Sequence, residues 1–496
     1  MKRLLIICTI LLAVQSLTAF NPTSNLSLVD TSFTGESGVT VAAQLGYLEV
    51  PENRENPSSQ KISIKFIKLK STNTNPGAPT IYLEGGPGSS CTWQAGQPYY
   101  LDGWIRYLEL GDVVLVDQRG TGEASQRLTY IWMNELPDDI FVSAENAQNH
   151  FAKVYSAAIK AYDERGIDLR GYTTKQNAED IDALREALGY EKVNIMGFSY
   201  GSHLGLAYIR YFSEYIENAI LIGTEGPNHT FKIPSSMDSH LGKVALMAKG
   251  DKELSQDVPD LVELYKEVVA QLEAEPAVVT VTNPLTRKDM EVKVGPFGLQ
   301  VVMRLDIGDA SDLPVFPRLL YSIKQKDYSM LEWFVRKRFN MVLGTQGMAT
   351  TMDLASGASE DRMKRILQEE KGSLFPQVAN MQLYLTKNME GVWPNPDLGK
   401  EFRAPLISDI RTLFMSGTLD FNTPPYQAEE VRWGFSNSSH IIVKHAGHEQ
   451  VLTHPGAVPA VLSFLKGENV DEIGLAYPPL EFIPVKGKAE GHPSIE

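Results

Sequence analysis

The stretch VNIMGFSYGSHLGLAYIRYF, residues 193–212, decides the fold. Val193 to Met196 is a short apolar run, as expected of a strand buried on both faces of a sheet. Ser202 to Phe212 carries helical spacing. Between them lies Gly197-Phe198-Ser199-Tyr200-Gly201, a G-x-S-x-G sequence at a strand-to-helix turn. Such a turn strains the serine backbone and leaves room only for small residues on either side of it. Gly197 and Gly201 meet that demand, and Ser199 is presented above the sheet as a candidate nucleophile.

Outward from this turn the same rhythm repeats. Thr80 to Leu83, Val113 to Val116, Ala219 to Ile222, Thr412 to Met415 and His440 to Val443 read as further buried strands. Val41 to Val50 and Ile62 to Leu69 read as strands too, the second half exposed because lysines alternate with its apolar residues. Thr174 to Leu188 reads as a helix with Ile181, Leu184, Ala187 and Leu188 on one face, a Thr cap at its start and Gly189 at its end. Strands alternating with helices predict an α/β architecture with a mostly parallel central sheet.

The rhythm breaks over 226–405. Asp260 to Glu273, Tyr328 to Phe339, Glu360 to Glu370 and Gln377 to Asn388 are helical in spacing. Ala277 to Thr282 and Met290 to Val294 read as a hairpin. Because sheet-like strands resume afterwards, this segment is expected to be a large, mainly helical cap inserted into the core. The core then comprises 40–225 and 406–466. Residues 20–40 are expected to form an extended lead-in, and 467–496 a tail running extended over the surface.

Composition narrows the function. The formal net charge of -15 over 496 residues, with no basic patch, excludes a nucleic-acid partner. Lys2 and Arg3, the apolar run Leu4 to Val14 and the small residues from Ser16 to Ala19 read as a signal peptide over 1–19, so the chain is expected to be exported, to the periplasm or beyond. The apolar run is shorter than the about 20 residues that cross a bilayer, and no later segment is longer, so no integral span is expected once the signal is cleaved. Cys8 falls within the signal, which leaves Cys91 without a disulfide partner. No metal-ligand spacing occurs, and no cofactor is called for.

A serine hydroxyl needs a base to take its proton and an acid to orient that base. Asp420 lies on the loop after the strand Thr412 to Met415, at a strand's C-terminal end, where open α/β sheets place their sites. His448 lies in Gly447-His448-Glu449 after the last strand, again at that end. Asp409 precedes its strand and so sits at the wrong end; His445 and His454 are the rival histidines. The negative oxygen of a tetrahedral intermediate needs backbone N–H donors. Tyr200, next after the nucleophile, supplies one. The loop Glu84-Gly85-Gly86-Pro87-Gly88 supplies the other. Pro87 has no N–H; Gly86 is the first choice and Gly85 the second.

These motifs in this order resemble the proline iminopeptidase and tripeptidyl aminopeptidase family, serine peptidases of the α/β-hydrolase fold. The residues that carry the likeness are Gly85-Gly86-Pro87-Gly88, Asp117 to Gly122, Gly197 to Gly201, Gly417 to Asp420 with Thr423-Pro424, and Gly447-His448. The length and the large insertion are more similar to the secreted tripeptidyl branch. The resemblance implies release of single amino acids or tripeptides from peptides with a free N-terminus. It also implies a bracing role for Asp117 to Gly122, with Arg119 paired to a carboxylate beneath the site. An aminopeptidase must hold a protonated amine, for which Glu225, Asp353 and Glu84 are candidate carboxylates. The chain departs from the family in two ways. Glu84 stands where the iminopeptidases carry His, and the cap regions 350–353 and 390–394 lack the cysteine pair of the secreted branch. The alternative reading is an esterase, lactonase or amidase using the same triad on small molecules.

Overall fold

A computed structural model describes residues 25–495, apart from 124–125, 307–311, 390–391, 489 and 491. The signal peptide read over 1–19 lies outside the described residues. Ten strands build one sheet: β1 (Leu26–Thr34), β2 (Thr40–Pro51), β3 (Lys61–Leu69), β4 (Thr80–Leu83), β5 (Val113–Val116), β6 (Val193–Phe198), β7 (Ile216–Ile222), β8 (Arg411–Gly417), β9 (Ser438–Lys444) and β10 (Leu475–Ala476). Their order is β1-β2-β3-β5-β4-β6-β7-β8-β9-β10. The first three strands and the β3–β5 pair are antiparallel. From β5 to β10 every pairing is parallel. This is the α/β-hydrolase fold, with its mostly parallel sheet.

Alternation along the strands explains why the apolar runs are unbroken. On β5, Val114 and Val116 face one hydrophobic core, and Val113 and Leu115 face the other. β6 divides the same way, with Ile195 on the first face and Met196 on the second. A strand covered on both sides has no solvent face to make polar. Each such Ile, Leu or Val contributes about 1.5–3 kcal/mol over its exposed state. The helix Thr174–Ala187 starts at Thr173, whose side chain accepts the Gln176 N–H.

Between β7 and β8 the chain is mainly helical. It includes the helices Pro234–Gly250, Leu261–Ala274, Pro296–Asp306 and Gly347–Ser356, and the hairpin strands Ala277–Thr282 and Asp289–Val294. Met237, Leu241, Val268 and Leu320 belong to the same core as Ile195, so this segment shares the core of one sheet face. The stretch before it contributes as well. Thr129–Ile131 pairs with Gly344–Gln346, and the helix Ala144–Glu164 packs on Met381–Leu385.

Three local expectations are corrected. Part of the lead-in is a strand, β1, nine residues long and paired along its whole length with β2. Its exposed, polar-rich sequence LSLVDTSFT hid it. The tail is not merely draped over the surface. Leu475–Ala476 extends the sheet beside β9, and Val470, Leu475 and Val485 are buried. The helix expected over 377–388 is broken into a 3-10 turn at Val378–Asn380, a short helix at Met381–Leu385 and a second turn at Lys387–Met389.

Candidate active site

Ser199 stands between β6 and the helix Tyr200–Phe212 with φ 55° and ψ -123°. For a residue with a Cβ this region costs about 1–3 kcal/mol and persists only where its surroundings enforce it. Here they do. A Cβ on Gly197 would lie 2.2 Å from the Gly201 carbonyl oxygen, and one on Gly201 would lie 2.0 Å from the Leu83 oxygen. Neither position can hold a side chain without moving backbone. The Ser199 N–H donates to the Ile222 oxygen at 2.8 Å, and the Ser199 carbonyl accepts from the Ser202 N–H at 2.8 Å. Ser199 itself remains partly exposed.

Asp420 follows β8 and is buried to 1% exposure. Its Oδ1 accepts the N–H groups of Asn422 and Thr423 at 2.8 and 2.9 Å. Its Oδ2 accepts the Thr423 hydroxyl at 2.7 Å and His448 Nδ1 at 2.8 Å. Burial alone would raise this carboxyl; the His448 ring and the Thr423 donors outweigh it and hold the pKa below the usual value. His448 leans on Phe198, ring centroids 4.8 Å apart. Gly223, at the end of β7, closes the other side: a Cβ there would be 3.1 Å from His448 Cε1 and 2.9 Å from Thr423 Oγ1. The rivals lie elsewhere. Asp409 is exposed before β8. His445 and His454 are turned to the tail, at the carbonyls of Tyr477 and Ala476.

The glycine loop after β4 meets Ser199 directly. A Cβ on Gly85 would sit 3.1 Å from the Ser199 Cβ. The Gly85 N–H is already given to Glu84 Oε1 at 2.9 Å, which removes the second-choice donor and leaves Gly86. Gly86 has φ +113°, a conformation that suits glycine, and precedes a cis bond to Pro87. Tyr200 opens its helix, so its N–H has no intrahelical acceptor. Gln118 pins the loop: its Nε2 donates to the Glu84 oxygen at 2.7 Å, and its Oε1 accepts the Gly88 N–H at 3.1 Å. Asp117 Oδ1 accepts the N–H groups of Cys91 and Thr92 at 2.8 and 3.0 Å. Arg119, with 0% exposure, forks onto Asp180 with two bonds of 2.7 Å.

The three candidate amine carboxylates differ. Glu84 is committed to the scaffold, through Gly85, Gln94 Nε2 at 2.8 Å and the Tyr82 hydroxyl at 3.3 Å. Burial raises its pKa. Glu225 follows β7 and meets Lys232 Nζ at 2.5 Å. Burial is outweighed there by Lys232 and His203, so the carboxyl stays below its ordinary value. Asp353, on the helix Gly347–Ser356, is close enough to Glu225 and Lys232 to feel both charges. Burial, then Glu225, push it well above the carboxylate range. Glu225 and Asp353 thus act on each other's charge, and Glu84 is not offered to a ligand. Lys232 and Gly223 belong to no motif, and Thr423 and Phe198 stand in motifs that do not announce their contacts with His448.

A second serine–histidine–carboxylate set exists. His440 Nε2 is 3.0 Å from Ser416 Oγ, and its Nδ1 meets Glu429. Ser416 has 0% exposure and lies within β8 on ordinary strand backbone. It has neither access nor a donor loop, so this set is structural. Among the described residues no group of three His, Cys, Asp or Glu could hold a metal ion. No helix there is long and apolar enough to cross a membrane.

Fold and site define an α/β-hydrolase, and the comparisons agree. The α/β hydrolase fold family model matches residues 79–278, and the TAP-like protein model matches 377–476. Tripeptidyl aminopeptidase of Streptomyces lividans is 27% identical over 201 residues, 37% of this chain and 36% of that protein. Serine protease Hip1 of Mycobacterium tuberculosis is 32% identical over 196 residues, 38% of this chain and 36% of that protein. The match thus spans little more than a third of the length of these relatives. Among solved structures, an esterase from Exiguobacterium antarcticum aligns over 88% of this chain and 100% of its own, at 14% identity and a TM-score of 0.38; that likeness bears on neither activity nor substrate. By these likenesses the chain is an α/β-hydrolase similar to the tripeptidyl aminopeptidases and to serine protease Hip1.

Proposed function

We propose that the chain is an exported serine exopeptidase that releases residues from free peptide N-termini through an acyl-enzyme. The observation that carries the hydrolase reading is the Asp420–His448 pair at the strained Ser199 turn, beside the Gly85-Gly86 loop. With Nδ1 donating to Asp420, the Nε2 of His448 is the nitrogen left to accept the Ser199 proton. Ser199 attacks the scissile carbonyl, and Gly86 and Tyr200 N–H groups bind the oxyanion. His448 then gives its proton to the leaving amine. Water, deprotonated by His448, releases the acyl group and restores Ser199.

The exopeptidase part rests on Glu225 and Asp353. Lys232 compensates Glu225, and burial with the Glu225 charge favours the neutral form of Asp353 until a further positive charge arrives. A substrate ammonium supplies the missing positive charge and makes charge-assisted hydrogen bonds. The relatives, a tripeptidyl aminopeptidase and a serine protease, support a peptidase, and the first supports release of tripeptides alongside single residues. Export is read from residues 1–19 alone.

The test is a panel of aminoacyl and tripeptidyl reporter amides against short-chain esters. Amide turnover that disappears when the substrate's amine is acetylated supports the proposal. Ester turnover without amide turnover favours the small-molecule esterase reading instead.

A further inference from the structure

Among the cations that the cap brings to the site is an arginine that the proposed chemistry does not use. Arg304 lies on the helix Pro296–Asp306. It donates to Asn422 Oδ1 and stacks over the Phe421 ring with its guanidinium carbon 5.0 Å from the centroid. Asn422 is itself held by Asp420, so Arg304 reaches the loop of the triad acid. Among the described residues no carboxylate comes within ion-pair distance of it. Arg119 and Arg338, by contrast, meet Asp180 and Asp306. Burial pulls the Arg304 pKa down to about 10; among the described residues the charges that oppose this are those of Asp420 and Glu225.

A guanidinium withdrawn from water without a counter-ion is costly. It has five N–H donors in a planar fork suited to a carboxylate, and Asn422 takes one of them. Its side chain is only partly buried, so the fork is not sealed off. Its hydrogen bond to Asn422 and its seat over Phe421 put it beside the loop that carries Asp420.

We infer that Arg304 is a specificity residue that binds a carboxylate of the peptide substrate. This rests on the peptidase reading and deepens it: the preferred substrate carries a negative charge as well as a free amine. The carboxylate has two sources, an Asp or Glu side chain near the N-terminus or the α-carboxylate of a short peptide. Both offer the same two oxygens to the fork.

The test compares free-amine pentapeptides with Glu or Gln at the first, second or third position, each as free acid and as C-terminal amide, with products read by mass spectrometry. The wild-type chain is expected to favour one carboxylate form over its neutral counterpart by at least roughly tenfold in kcat/KM, the scale of a charged hydrogen bond. The Glu/Gln pairs report a side-chain source, and the acid/amide pairs a terminal one. Arg304→Gln should bring that ratio close to one, and Arg304→Lys should keep part of it, with thermal melting checking that both variants fold. Equal turnover of acid and neutral forms by the wild type overturns the inference while leaving the peptidase reading intact, as does a preference that survives in Arg304→Gln. If no peptide is cleaved, the peptidase reading falls. Arg304 is then judged by whether acid peptides slow fluorophosphonate labelling of Ser199 more than their amides do. Equal slowing overturns it.

Discussion

The rings of Phe198 and His448 face each other at 4.8 Å between centroids, tilted by 34°. Phe198 immediately precedes the strained Ser199, so this contact sets the imidazole against the nucleophile's own turn. Asp420 fixes the ring from the other nitrogen at 2.8 Å. The His448 ring is therefore held by one aromatic face and one carboxylate, each delivered by a different strand end.

Asp420→Asn keeps the shape of the acid and removes its charge. The new amide offers a donor where His448 Nδ1–H and the Thr423 hydroxyl now donate. The expected result is a loss of roughly 10^4-fold in kcat, the scale of a triad whose base is held in the wrong tautomer. Steady-state kinetics on the best reporter substrate measures it, with circular dichroism showing that the fold persists.

Gly223→Ala tests the packing around the base. The position has φ +58°, and an added Cβ would press on Thr423 Oγ1 at 2.9 Å and His448 Cε1 at 3.1 Å. Strain of about 1–2 kcal/mol for the backbone alone is expected. The imidazole has to give way, so kcat/KM should fall by about tenfold or more, the scale of that strain expressed as a rate. A variant with wild-type kinetics would show that Gly223 is not part of the base's seat.

The pH dependence of amine binding follows from Asp353. Its folded pKa lies well above the ordinary carboxyl value. Holding an ammonium requires the ionised form. KM for free-amine peptides should therefore rise as pH falls through the raised range, and Asp353→Asn should remove that dependence while raising KM throughout. The stability sign is the opposite of a salt bridge. The folded state binds a proton that the unfolded state releases, so stability declines as pH rises from the ordinary carboxyl range to the raised pKa. Melting curves of Asp353→Asn should lack that decline.

Asp180→Ala leaves the buried Arg119 without its counter-ion. Breaking one partner of a buried pair costs about 3–5 kcal/mol. Arg119 also donates to the Glu52 oxygen at 2.6 Å and neighbours Gln118, which pins the Gly85-Gly86 loop. Urea unfolding should show the destabilisation, and activity should fall beyond what unfolding explains.

The central sheet was legible in the sequence because strands buried on two faces leave continuous apolar runs. Thr80 to Leu83 and Val113 to Val116 coincide with the observed strands residue for residue. β1 and β10 were not legible, because an edge strand keeps polar residues and a two-residue strand has no period to detect. The glycine-framed turn announced Ser199, since only small residues fit where backbone meets backbone. The carboxylates were less readable. Glu84 and Glu225 carry the same charge in the sequence, but Gly85 and Gln94 engage one and Lys232 compensates the other. Arg304 had no local signature at all, because what distinguishes it is its place beside Asn422 and Phe421 with no carboxylate at ion-pair distance among the described residues.

The most direct measurement is mass mapping of the adduct formed by a fluorophosphonate. The predicted result is a single covalent adduct on Ser199, absent from Ser199→Ala, slowed in Asp420→Asn and unaffected in Ser416→Ala. An intact, folded chain that takes no label, or that takes it on a residue other than Ser199, would contradict the proposed engine.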